Sequence, residues 1–145
     1  MPPEITTSLY EEIRAQIQHE DTLVTQRLNW FLTSQSFLFT AFAIVFNGSP
    51  PAAGSEVRKL LLAAIPLLAI IAGILIFLSI VAGTLVMSDL RRFYRKRASE
   101  AEMQRLPPIQ GFGYTRLLGS AAPLILPLIF VLVWVTLRIH APGAW

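Results

Sequence analysis

The chain has 145 residues, enough for one domain, and 54% of them are hydrophobic while only 14% are charged, against about 25% charged in ordinary soluble domains. It carries a formal net charge of +3 and no cysteine, which excludes disulfides and thiolate metal centres. Three uncharged stretches, 28–46, 60–88 and 117–137, are close to or beyond the roughly 20 apolar residues that cross a bilayer. The fold class expected is therefore an all-α membrane protein in a single integral membrane domain. It has three transmembrane helices, an N-terminal amphipathic helix and a cytoplasmic basic helical extension of the second span.

Residues 4–27 form the leader. Ile5, Leu9, Ile13 and Ile17 recur every four residues, and Glu11, Glu12, Arg14, Gln16 and Gln18 cover much of the remaining surface, the pattern of an amphipathic helix. Ser8 and Glu11 have the spacing of a capping box, with Pro2 and Pro3 upstream. The leader is free to lie on the membrane, to pack on the basic segment of its own chain, or to run on into the first span. No proline or glycine occurs between Glu4 and Phe46, which favours one continuous helix. A cleaved signal peptide is not expected, because the first apolar run begins only at Leu28, behind an acidic stretch.

The first span, 28–46, is the most informative segment. It is free of charge yet contains Asn29, Thr33, Ser34, Gln35, Ser36 and Thr40. Asn29, Thr33, Ser36 and Thr40 are spaced to share one helix face. The same spacing reaches back through Gln26, Thr22 and His19 and forward through Ala43 to Asn47. A face of amides and hydroxyls gains nothing from lipid, where such groups lose water and find no partner. The stripe is expected to face protein or water, with Phe37, Leu38, Phe42 and Phe46 narrowing the outer end according to the helix's rotation.

Residues 47–54 read as a short loop punctuated by Gly48, Pro50, Pro51 and Gly54, so the first two spans form an antiparallel hairpin. The second span, 60–88, has 29 residues, roughly 43 Å of helix, and must tilt, bend or project. Pro66 is expected to bend it, and Ala72, Gly73, Ser79, Ala82 and Gly83 offer places for close helix approach. The basic helix, 89–106, carries Arg91, Arg92, Arg95, Lys96 and Arg97, and ends at Pro107 and Pro108. A turn at 109–114 leads to the third span, 117–138, which contains Pro123 and Pro127.

Charge sets the topology. With the N-terminus in the cytoplasm, nine of the twelve Lys and Arg residues lie inside and three outside, as the positive-inside rule requires. The expected location is the plasma (inner) membrane, with the C-terminus outside. Trp30, Phe93, Tyr94 and Tyr114 fall near the inner boundary and Trp134 near the outer one, where amphipathic rings sit.

The pattern points to an oligomeric, pore- or channel-like protein with Asn29, Thr33, Ser36 and Thr40 along a polar central seam. Four or five copies close such a seam better than two. Glu20 and Asp21 then ring its cytoplasmic mouth and lean the pore toward cations; the competing expectation pairs them with the basic segment. A dry seam in which the same residues act as interhelical glue is the plainer alternative. It accords with a non-conducting scaffold or accessory subunit that binds an unidentified protein through 4–27 and 88–116. Arg91, Arg92, Arg95, Lys96 and Arg97 suit anionic headgroups, and Arg27 is expected to reach headgroups or Asp89. Nucleic acid is not an expected partner. Neither catalysis nor a cofactor or metal is expected: no phosphate loop or nucleophile motif occurs, and His19 and His140 fall on opposite sides of the membrane.

Overall fold

The computed structural model describes residues 4–48, 55–98 and 113–140. The expected loop at 49–54, the end of the basic helix and most of the turn before the third span lie outside the described residues. The described chain is all helix, with no strand: α1 Glu4–Asn47, α2 Ser55–Arg97 and α3 Gly113–His140. All three helices are long and apolar enough to cross a membrane, which marks an integral membrane protein.

α1 is a single helix of 44 residues, about 66 Å long. Leader and first span are continuous because nothing between them lacks a backbone donor or adds glycine's freedom. Ser8 lies inside this helix, not at its start. The helix already runs from Glu4, just after Pro2 and Pro3, so the capping-box spacing at Ser8 and Glu11 has no helix end to serve. α2 likewise runs through Pro66, and α3 through Pro123 and Pro127.

α1 and α2 pack antiparallel over almost their whole length. The buried residues of α1 are Tyr10, Ile13, Ile17, Val24, Phe31, Gln35 and Phe42, separated by threes, fours and sevens. That is the period of left-handed packing at small crossing angles. Toward one end Ile13, Ile17 and Val24 meet Ile80 and Met87 of α2, flanked by Leu90 and Tyr94. The leader therefore packs on the continuation of α2, with the rings of Tyr10 and Tyr94 5.9 Å apart. At the other end Phe42 meets Leu62, Ile65, Ala69 and, from α3, Trp134. Glycine sets the closest approach. A Cβ on Gly73 would stand 2.6 Å from Val131 Cγ2 of α3 and 3.8 Å from the Phe31 ring of α1, so the three helices converge there.

Arginines satisfy backbone carbonyls where helices end or loosen. Arg58 donates from Nε to the carbonyl of Val45 (3.0 Å) and from Nη2 to that of Phe46 (2.7 Å). It thereby caps the last turn of α1, whose carbonyls have no helical partner. Arg138 donates to the carbonyl of Ala63 at 3.0 Å, beside Leu62, the residue four before Pro66 whose carbonyl gets no backbone donor from the proline.

The register between α1 and α2 decides what Arg27 meets. Arg27 donates to the carbonyl of Ser79 at 3.4 Å, not to Asp89, which is exposed. Leu60 to Ser79 already supplies the roughly 20 helical residues that cross the hydrocarbon. The rest of the uncharged stretch, from Ile80 to Ser88, is covered on one side by Ile17 and Val24 of α1. The surplus length of the second span is thus a packing surface for the leader.

Candidate functional site

The stripe residues Asn29, Thr33, Ser36 and Thr40 are all exposed, as are His19, Thr22, Gln26, Ala43 and Asn47. Asn29, Thr33, Ser36 and Thr40 occupy the side of α1 turned away from α2 and α3, whereas Ala43 and Asn47 border a groove beside α3. The fold hides none of them, because the opposite side of α1 supplies the apolar contacts the other two helices need.

The hydroxyls are not destitute, however. Thr33 Oγ1 donates to the carbonyl of Asn29 (3.0 Å), Ser36 Oγ to Leu32 (3.0 Å) and Thr40 Oγ1 to Ser36 (2.9 Å). Ser34 Oγ bonds the carbonyl of Trp30 in the same way. Each hydroxyl spends its proton one turn back along its own helix, which lowers its cost in hydrocarbon below that expected for a group with no partner. The amides differ. The side-chain amides of Gln26 and Asn29 make no hydrogen bond among the described residues, and together with Trp30 and Thr33 these residues line a surface hollow of about 260 Å³. The demand for an outside partner therefore concentrates on these two amides.

Beside the stripe stands a ridge that the polar spacing alone does not reveal. Trp30, Phe37 and Ile44 are 76%, 72% and 68% exposed and lie seven residues apart. They alternate with Thr33, Thr40 and Asn47 at intervals of three and four. Large apolar residues alternating with small polar ones at this period are the pattern by which one helix packs into another. Of the aromatic and aliphatic residues expected to narrow the outer end, Phe37 stands on this outward face. Leu38 and Phe42 turn into the core, and Phe46 stacks on Phe42.

One polar residue of the first span belongs to neither surface. Gln35 is fully buried. Its Oε1 accepts a hydrogen bond from Trp134 Nε1 at 2.6 Å, and its Nε2 has no partner. Phe39 stacks on Trp134 with ring centroids 4.3 Å apart, and Phe42 meets the same indole edge to face. This polar contact inside an aromatic cage ties α1 to α3.

The charged candidates are dispersed. Glu20 is half-buried on the face of α1 that meets α2, its Oε2 3.8 Å from the place of a Gly83 Cβ. Asp21 is exposed. The two residues expected at the mouth thus point in different directions. Glu11, Glu12, Glu20 and Asp21 make no ion pair among the described residues, so the expected pairing with the basic segment is not formed there. Arg92, Arg95, Lys96 and Arg97 are exposed, with the Arg97 guanidinium 4.6 Å from the centre of the Phe93 ring. Arg91 donates to the carbonyl of Met87 at 2.8 Å.

Among the described residues no group of three or more His, Cys, Asp or Glu side chains could hold a metal ion. No protein-family model, curated protein or solved structure matches the chain.

Proposed function

We propose that the protein is a homo-oligomeric, channel-like integral membrane protein whose subunits meet along the outward face of α1. The observation that carries this reading is the pairing on one face of α1 of two unpartnered side-chain amides, Asn29 within the first span and Gln26 just before it, with a seven-residue ridge of Trp30, Phe37 and Ile44. Amides at bilayer depth gain most from other amides. A sister subunit in the same orientation presents its own Asn29 at the same depth. Four or five copies bring the stripe to an axis, and Asp21, exposed near one end, leans the pore toward cations. The charge distribution favours the N-terminus and the basic helix on the cytoplasmic side of a plasma (inner) membrane. Arg92, Arg95, Lys96 and Arg97 would then reach anionic headgroups.

The back-bonded hydroxyls favour a second reading, in which the same seam is dry and the protein is a scaffold or accessory subunit. Cysteines at Thr33, Ser36 and Thr40 separate the two, since the chain has no native cysteine. Conductance of the purified protein in planar bilayers, blocked by water-soluble thiol reagents at those positions, supports the pore. Silence in bilayers combined with unreactive cysteines overturns it in favour of the dry seam.

A further inference from the structure

Between the last turns of α1 and α3 lies a groove of about 510 Å³, within the roughly 300–1,000 Å³ typical of small-molecule sites. Phe39, Phe42, Phe46 and Leu137 give it apolar walls, and three polar side chains, Asn47, Thr136 and His140, also line it. Those three share a property. Thr136 Oγ1 donates its proton to the carbonyl of Leu132 at 2.9 Å. Asn47 Nδ2 donates to the carbonyl of Ala43 at 2.9 Å. His140 Nδ1 lies 3.0 Å from the carbonyl of Thr136, and a carbonyl only accepts, so Nδ1 carries the proton.

What remains for an occupant is therefore mostly acceptors: the lone pairs of Thr136 Oγ1 and the Oδ1 of Asn47, joined by the second ring nitrogen of His140, Nε2, whenever the ring carries a single proton. The one spare donor is the second amide proton of Asn47. A ligand that fits has an apolar body and a head that donates a hydrogen bond. Arg58 and Arg138 bring positive charge to this end of the helices, which tells against an ammonium head. The acceptor rim tells against a phosphate. We propose that the groove binds a hydroxyl-headed lipid, its hydroxyl donating to His140 Nε2 or Asn47 Oδ1 and its chain lying against Phe39, Phe42 and Leu137. This site needs only that the chain resides in a membrane; it shares Ala43 and Asn47 with the outer end of the stripe and does not require the subunits to assemble.

The test uses the full-length protein in lipid nanodiscs, photolabelled with hexadecanol that carries a diazirine at mid-chain. Adducts are expected to concentrate in 39–47 and 133–140. Unlabelled hexadecanol should compete about tenfold better than hexadecylamine or hexadecyl phosphate, the value of roughly one good hydrogen bond. Thr136→Val with His140→Phe keeps the groove filled to a similar volume but removes two acceptors. Labelling should persist while the preference for the alcohol falls to about twofold or less. Ala43→Phe, at an exposed position on the groove's edge, should lower labelling by occlusion. Equal competition by the phosphate on the wild-type protein overturns the proposal. So do adducts spread evenly over the exposed α2 residues Leu67 and Leu75, or an alcohol preference untouched by the double substitution.

Discussion

The indole N–H of Trp134 donates to the side-chain oxygen of Gln35 over 2.6 Å, joining two fully buried side chains 99 residues apart in the chain. Trp134→Phe strands both ends of the Gln35 amide, whereas Gln35→Met strands only the indole N–H. We expect the first to cost about 2 kcal/mol and the second about 1 kcal/mol, near the upper and middle values for hydrogen bonds within membrane bundles. The double substitution should be less damaging than Trp134→Phe alone, since removing both partners leaves no buried orphan. Reversible unfolding in mixed detergent micelles measures all three. A double variant that shows the full sum of the single losses would deny the coupling.

Gly73 is the tighter of the two glycine crossings. A methyl there would meet Val131 Cγ2 at 2.6 Å, while one on Gly83 would meet Val24 Cγ2 at 3.2 Å. Gly73→Ala should therefore destabilise by about 1–3 kcal/mol, the usual cost of overpacking, and Gly83→Ala by less. Val131→Ala should restore part of the loss at Gly73 and none of that at Gly83. Thermal melts of the wild type, the three single variants and the two double variants give the comparison.

Phe37 and Phe42 are both phenylalanines of the first span, but one is exposed and the other buried. Phe42→Ala should unfold the bundle more readily, by about 3 kcal/mol. Phe37→Ala should leave the fold intact and weaken self-association. Sedimentation in density-matched detergent reads association, and a melt reads the fold. Matching effects of the two substitutions on both readouts would remove Phe37 from the seam.

Thr33→Leu with Ser36→Leu tests the stripe. Neither hydroxyl contacts α2 or α3, since both bond their own helix, so the protomer should fold normally while assembly or conductance fails. Retention of both functions means that this face looks into lipid.

Arg58→Ala should fray the end of the α1–α2 hairpin, because it frees the carbonyls of Val45 and Phe46. A loss of about 1 kcal/mol is expected from such caps. It should appear as faster amide exchange in α1 from Ala43 to Asn47 and in the first turn of α2. Unchanged exchange there would show that water replaces the guanidinium without loss.

The three spans and the unbroken first helix were legible because long uncharged runs and the absence of Pro and Gly act locally. The outward stripe was legible for the same reason, since spacing alone fixes a helix face. Other features depend on partners far away in sequence. Gln35 looked like one more polar residue of the span; its burial depends on Trp134 arriving from another helix. What Arg27 meets depends on the α1–α2 register, which no single-helix window contains. Ser8 and Glu11 carried a valid local signal that the helix overran, since Glu4 already lies within it. The ridge of Trp30, Phe37 and Ile44 escaped notice because apolar residues in an apolar span carry no contrast until burial separates the two sides.

The uncharged runs of the three helices differ in length, with 19 residues in α1, 29 in α2 and 21 in α3, so α1 and α3 match one bilayer thickness and α2 exceeds it. In a thicker or thinner membrane α2 can slide along its own surplus, from Ile80 to Ser88, with little penalty, whereas α3 has no such reserve. The two shorter runs, of α1 and α3, thus fix which membranes suit the protein, and α2 rides at whatever depth they dictate.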